Sequence, residues 1–220
     1  MRDFLKYYNH EVLAWEYDQK YSQLFPGELE WYLRYAGMVG GRIVELACGS
    51  GRLLLPIAQA GYPIDGVDIS QAMLSRLRRK MNALDGKTRS RIRTYRSDML
   101  SFRPKQRYAM AILGFNSLYY LATEERFARF FEKVANLLQK KGLFLFMVSR
   151  PDLFEYIKSR KVVNDSIENL WLDPNRRISV HSKSESYLEV SEHRIVREGV
   201  YLIEKPGLPP ERVECRTYFP

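Results

Sequence analysis

Cysteine is scarce in this chain of 220 residues. Only Cys48 and Cys215 occur, far apart in sequence. A disulfide framework is excluded, and the expected setting is a reducing cytoplasm with Cys48 as a small buried apolar residue. Histidine is equally sparse: His10, His181 and His193 stand isolated from one another and from cysteine, so no metal-ligand spacing is present. No run of about 18 apolar residues exists, which excludes a membrane-spanning helix. The opening Met1-Arg2-Asp3-Phe4-Leu5-Lys6 lacks the apolar stretch of a signal peptide. No nucleophile-plus-base motif, internal repeat or low-complexity segment is seen. Acidic residues are nearly missing from one stretch. Between Arg76 and Arg107 stand 12 Lys/Arg and two acids, a net of +10 against +9 for the whole chain, so the remainder carries −1.

The chain is 45% hydrophobic, enough for one good core and an appended subdomain. Residues 1–40 read as an aromatic-rich helical cap. Phe4, Tyr7, Tyr8, Val12, Trp15 and Tyr17 recur at roughly helical spacing, Pro26-Gly27 punctuates, and a second helix runs from Glu28 to near Gly37. Core packing and a lid over a ligand are the two readings of this stripe.

Residues 41–150 alternate strand and helix. The expected strands are Arg42–Ala47, Pro63–Ile69, Arg91–Ser97, Tyr108–Phe115 and Leu143–Val148. Ser70 caps a helix over Gln71–Leu84 that Gly86 stops. Thr123 caps another, with Glu124 and Glu125 in its first turn, Lys140 and Lys141 in its last, and Gly142 just beyond. Such alternation predicts an α/β fold, a Rossmann-like doubly wound, mainly parallel sheet. From residue 151 the character changes. A helix over Asp152–Arg160 is followed by four strands, at Ile178–His181, Tyr187–Val190, Gly199–Ile203 and Arg212–Tyr218, which read as an antiparallel meander with one wet face.

Chemistry concentrates where the parallel strands end. Strand 1 runs into Glu45-Leu46-Ala47-Cys48-Gly49-Ser50-Gly51-Arg52, strand 2 into Asp68, strand 3 into Asp98-Met99 and strand 4 into Phe115-Asn116-Ser117. Ligands of open parallel sheets bind along this carboxyl edge. A carboxylate such as Asp68 accepts two vicinal hydroxyls, as a ribose offers, and Asp98 is placed for an exocyclic amine. Leu54 stands where a dinucleotide fingerprint requires its third glycine. Glu45 also suits an ammonium or sulfonium better than a pyrophosphate. The ligand implied is adenosine-like.

At this point the sequence resembles the class I S-adenosylmethionine-dependent methyltransferases. Glu45 to Arg52, then Gly66-Val67-Asp68-Ile69-Ser70 with Met73-Leu74, are similar to the first two motifs of that family. Ser97-Asp98-Met99 resembles the third and Phe115-Asn116-Ser117-Leu118 the fourth. Tyr17-Asp18 with Tyr21 resembles the N-terminal element of its small-molecule subgroup, which closes over the cofactor. The resemblance implies strand order 3-2-1-4-5 and S-adenosylmethionine as cofactor. It implies that Tyr17, Tyr21, Glu45, Ala47, Gly49, Gly51, Arg52, Asp68, Ile69, Asp98, Met99, Phe115 and Asn116 surround that cofactor. Asn116, Tyr119 and Tyr120 face the reaction, although both tyrosines also read as packing aromatics.

Two departures from the family stand out. Ala47 replaces its first glycine and is expected to adopt an ordinary φ. The family's final antiparallel strand pair is missing from this sequence, which reads as truncated or minimal. The expected activity is methyl transfer to the nitrogen or oxygen of a small molecule, without metal or membrane and with a homodimer possible. The alternatives are an RNA or protein methyltransferase that uses block 76–107, and a catalytically silent cofactor-binding or regulatory module. The block itself reads either as protection of an edge strand or as a polyanion patch; nucleic acid is not the favoured partner.

Overall fold

In the computed structural model the described residues are 4–121, 123–148, 165–173, 175–189 and 194–219. The chain divides into two compact units, Tyr17–Ser149 on one hand and Met1–Glu16 with Arg150–Pro220 on the other. The 1–40 cap expected from sequence is thus split: its first sixteen residues group with the C-terminal strands.

In the Tyr17–Ser149 unit the strands are β1 (Ile43–Leu46), β2 (Ile64–Asp68), β3 (Ile92–Arg96), β4 (Tyr108–Leu113) and β5 (Leu138–Phe146). They lie parallel in the order β3-β2-β1-β4-β5, as the doubly wound reading requires. Every residue of β1 and β4 is buried, as expected for central strands covered on both faces. One face packs Ile43, Ile64, Met110 and Ile112 with Leu54, Ile57, Leu74 and Leu77; the other packs Val44, Leu46, Ala111 and Leu113 with Phe130, Val134 and Leu137. Fully burying each such aliphatic side chain contributes about 1.5–3 kcal/mol. The register brings Leu46 level with Val67 and Leu113, so the segments that leave these strands emerge along one edge.

The helices of this unit include α3 (Glu28–Val39), α4 (Leu54–Gln59), α5 (Gln71–Met81), α6 (Gly86–Ser90) and α7 (Glu124–Leu137). Ser70 Oγ accepts from Met73 N (3.1 Å), and Thr123 Oγ1 from Arg126 N (3.3 Å), so both expected caps are present. Three boundaries differ from expectation. α5 ends at Met81, and Asp85 caps the short α6 by accepting from Thr88 N (2.9 Å), so Gly86 opens a helix rather than stopping one. α7 ends at Leu137, and Lys140 and Lys141 lie in β5, not in a last helical turn. β5 begins five residues early because Leu138 pairs with Tyr108 ahead of a register irregularity, at which Lys141 takes φ 67°.

The second unit contains α1 (Phe4–Asn9), the first part of α2 (Glu11–Lys20) and an antiparallel sheet. Its strands β6 (Asp165–Asp173), β7 (Ile178–Glu189), β8 (Arg194–Glu204) and β9 (Glu211–Phe219) are ordered β6-β7-β8-β9. The meander was legible, but the expected strands Ile178–His181 and Tyr187–Val190 are one continuous strand, β7, its ladder to β8 running unbroken from Ser179 to Glu189, and β6 was not foreseen. The helix expected over 152–160 lies outside the described residues. Within this unit Tyr7 OH donates to Glu16 Oε2 (2.5 Å), and the Tyr7 ring meets Tyr201 at 5.0 Å.

Candidate functional site

The turn after β1 is shaped by backbone conformation. Gly49 and Gly51 have φ of 53° and 86°, and a Cβ on Gly51 would lie 2.5 Å from Leu77 Cδ1, so only glycine fits there. Ala47 has φ 55°, which corrects the expectation of an ordinary φ. The left-handed region costs an alanine roughly 1–2 kcal/mol. The turn demands the glycine conformation although the glycine is absent.

Two carboxylates flank this turn. Asp68, at the end of β2, accepts from Gly49 N (2.7 Å) through Oδ2 and from Ser70 N (2.8 Å) through Oδ1. Burial raises its pKa despite those amides. Each oxygen keeps a second lone pair. Glu45 is 5% exposed and its Oε2 has no hydrogen-bond partner. Burial pushes its carboxyl up to about 8; Arg52 opposes the shift, and Asp68 and Glu28 add to it. An unpartnered buried carboxyl oxygen is costly and calls for a donor. The Tyr32 hydroxyl is also buried without a partner, and Glu45 is among the charges that raise its pKa.

Residues 17–28 are fastened onto the turn at two points. Asp18 is buried and accepts from Ser50 Oγ (2.5 Å), Lys80 Nζ (2.5 Å) and Arg76 Nη2 (2.7 Å). Burial alone would raise the Asp18 pKa, but the bonds from Lys80, Ser50 and Arg76 hold it low. Glu28 forms a bidentate pair with Arg52, both contacts at 2.7 Å. Between these points lies an aromatic seam centred on Phe115. Tyr21 meets it at 5.3 Å, Phe25 stacks at 6.2 Å, Tyr17 approaches edge-on at 6.4 Å, and the Arg52 guanidinium lies 4.8 Å from its centroid. Phe115 and Asn116 both have left-handed φ, 49° and 58°. Strain of this kind clusters at ligand sites.

The structure therefore gathers Tyr17, Tyr21, Glu45, Ala47, Gly49, Gly51, Arg52, Asp68 and Phe115 around one turn. Tyr120 is close enough to Tyr17 to raise the Tyr17 pKa, after burial and ahead of Tyr21. Asn116 N donates to Met147 O (3.1 Å) and Asn116 O accepts from Tyr119 N (3.0 Å), which ties both residues to the end of β4. Burial raises the Tyr119 pKa. Ile69 is half-buried beside Asp68. Asp98 and Met99 sit one strand further along, where Ser97 N bonds Asp68 O (3.0 Å). There Asp98 Oδ1 accepts from Leu100 N (2.8 Å), and Met99 packs against the core.

Sequence reasoning missed Glu28, Phe25 and Ser50, and it placed Arg76 and Lys80 in an undivided basic block. Glu28 had one signal, an acid directly after Pro26-Gly27. A separate cleft of about 580 Å³, lined by Lys6, His10, Arg212 and Glu214 among others, lies within the second unit and contains none of these residues.

A family model described as a methyltransferase domain matches residues 43–142. Over residues 43–142 the chain is similar to methyltransferase domains. The match takes in Glu45, Asp68, Asp98 and Asn116 and bears out the resemblance to class I S-adenosylmethionine-dependent methyltransferases. YqeM of Bacillus subtilis (strain 168), whose name states a methyltransferase assignment and no acceptor, is 28% identical over 127 residues, 57% of this chain and 47% of that protein. The chain thus spans about half the length of that relative. The ubiquinone biosynthesis O-methyltransferase of Aromatoleum aromaticum is 36% identical over 52 residues, 24% of this chain and 22% of that protein. Two solved structures share the fold. The CcbJ methyltransferase from Streptomyces caelestis has TM-score 0.71 and 18% identity, covering 98% of this chain and 82% of its own. The sugar N-methyltransferase KedS8 from Streptoalloteichus has TM-score 0.70 and 18% identity, covering 93% and 76%. Among the described residues no helix is long and apolar enough to cross a membrane.

Proposed function

We propose that the protein transfers a methyl group from S-adenosylmethionine to a nitrogen or oxygen of a small-molecule acceptor. One observation carries this reading: within the residues similar to methyltransferase domains, a buried carboxyl oxygen of Glu45 lacks a donor beside a glycine turn whose other flank is the Asp68 carboxylate. These groups suit the two polar ends of the cofactor. Glu45 Oε2 accepts from an ammonium, the turn at Gly49 and Gly51 lets backbone come close, and the Asp68 oxygens accept from ribose hydroxyls. Asp98 and Met99 flank the adenine. When bound, the cofactor supplies an electrophilic methyl on a sulfonium.

The chain's own residues supply position and a water-poor surface. Tyr17, Tyr21 and Phe115 present aromatic faces that favour a cation. Asn116, Tyr119 and Tyr120 follow β4 directly and are placed to orient the acceptor. With its pKa raised, Tyr119 keeps its proton near neutral pH and serves as a hydrogen-bond donor or acceptor rather than as a phenolate base. Small-molecule acceptors are favoured by the fold shared with the sugar N-methyltransferase KedS8. Guidance of an RNA or protein acceptor by the basic block gains no support from Arg76 and Lys80, whose charges are engaged by Asp18.

The test is binding of S-adenosylmethionine by the intact chain, followed by turnover on libraries of amines, hydroxyls and carboxyls, with S-adenosylhomocysteine as the product measured. Binding followed by turnover is expected. Binding without turnover on any library would favour the silent module instead.

A further inference from the structure

The basic block is divided by the fold. Arg76 and Lys80 are engaged by Asp18, Arg91 Nη1 donates to Ala58 O (3.4 Å), and Arg42 Nη1 donates to the buried Asp65 (2.6 Å). Part of the remaining charge lies at one end of the core sheet. The residues just ahead of β3 and β4 and the first residues of β5 include six exposed cations, Lys87, Arg89, Lys105, Arg107, Lys140 and Lys141. Asp85 is the exposed acid in those segments, and its carboxylate caps α6.

The carboxyl edge of the same sheet carries Glu45, Asp68 and Asp98. The two edges are well separated, because Asp68 is level with Arg96 while Ile64 is level with Ile92, four residues or about 13 Å back along the strand. α6 lies beyond Ile92 still. Acids stand where the cofactor is proposed to bind, with Arg52, Arg76, Lys80 and Arg96 near them, while the six cations lie at the opposite rim.

That rim is continuous. Gln139 Nε2 donates to Arg107 O (3.3 Å), Arg107 Nη1 to Leu138 O (3.5 Å), Ala109 N to Arg42 O (2.9 Å), and Arg42 Nη1 to Arg91 O (3.2 Å). Five strands at about 4.8 Å spacing make it about 19 Å long. One strand of nucleic acid places about six phosphates along that length. The six cations are exposed, so their charge is available to solvent and to a polyanion.

We infer that the amino-terminal rim of the core sheet is a docking surface for the phosphate backbone of a nucleic acid, remote from the methyl-transfer site. The surface holds a polynucleotide without reading its sequence and without presenting it as methyl acceptor. The location of the methyl-transfer site rests on the proposed function; the binding of the phosphate backbone does not.

The experiment is fluorescence anisotropy of a labelled 20-nucleotide single-stranded RNA titrated with the intact chain from 20 to 200 mM KCl. Expected is binding at 20 mM whose log Kobs falls with log[KCl] at a slope of about −4. The variant Lys87→Glu/Arg89→Glu/Lys105→Glu/Lys140→Glu should weaken it at least tenfold. Melting temperature and S-adenosylmethionine affinity, read in parallel on the same variant, should be unchanged. Reversing the exposed Arg34, Arg129, Lys183 and Arg212 instead alters net charge equally and should weaken binding far less. No binding at 20 mM KCl, equal losses in the two quadruple variants, or binding to phosphatidylserine vesicles in place of RNA would each overturn the inference.

Discussion

Three residues beside the β1 turn carry most of the testable content. Asp68 holds Gly49 N and Ser70 N and is assigned the ribose. Asp68→Ala should weaken S-adenosylmethionine binding by roughly 1–3 kcal/mol, the cost of lost charged hydrogen bonds. An unchanged affinity in calorimetry would misplace the ribose. Ala47 occupies a glycine conformation at φ 55°. Ala47→Gly should therefore raise stability by about 1 kcal/mol, less whatever the more flexible unfolded chain takes back. A lower urea midpoint would argue against the strain. Glu45 is the pH-dependent element. Its folded pKa of about 8 lies above the unfolded value of 4.5, so the folded state retains a proton that the unfolded state has lost. Stability falls as pH rises through that window, and the penalty is absent below it. Glu45→Gln should thus melt a few degrees above the parent chain at pH 8 and level with it at pH 4. The same variant should bind cofactor more weakly. Equal melting points at pH 8 would mean that Glu45 is ionised at no cost.

At the scale of elements, the account turns on residues 17–28. Glu28 and Asp18 anchor this segment to the turn and to α5, and the seam on Phe115 lies between them. Glu28→Ala leaves the guanidinium of Arg52, whose side chain is only 12% exposed, without its carboxylate. Removing one partner of a buried pair costs about 3–5 kcal/mol. Hydrogen exchange should quicken over 17–28 before it does in β1 or β4; uniform acceleration would show that the segment is not a separate cooperative unit. Its role was only half legible in the sequence. Tyr17, Asp18 and Tyr21 stood out by resemblance, but Glu28 and Arg52 are 24 residues apart, and no local pattern announces a pair that forms only when α3 packs beside α4. The parallel strands were legible because apolar runs between turn residues have few other solutions. The start of β5 was not: Leu138 to Lys141 look like the basic end of a helix, and pairing with Tyr108 overrode that local preference. The φ of Ala47 was misread for a related reason, since the neighbouring turn sets a backbone conformation that the residue itself disfavours.

At the scale of the whole molecule, two compact units are built from interleaved segments of chain, and the residues similar to methyltransferase domains lie in one of them. Each feature of the proposed cofactor site described above belongs to that one unit. The antiparallel sheet and the first helices form the other. The charge is also organised at this scale. Six exposed cations lie at the amino-terminal rim of the core sheet, opposite the edge that carries Glu45, Asp68 and Asp98. The central claim is that the carboxyl edge binds S-adenosylmethionine. Titration calorimetry of the intact chain with S-adenosylmethionine and S-adenosylhomocysteine tests it most directly. The account predicts one site per chain for both, weakened by Asp68→Ala; a folded chain that binds neither would contradict it.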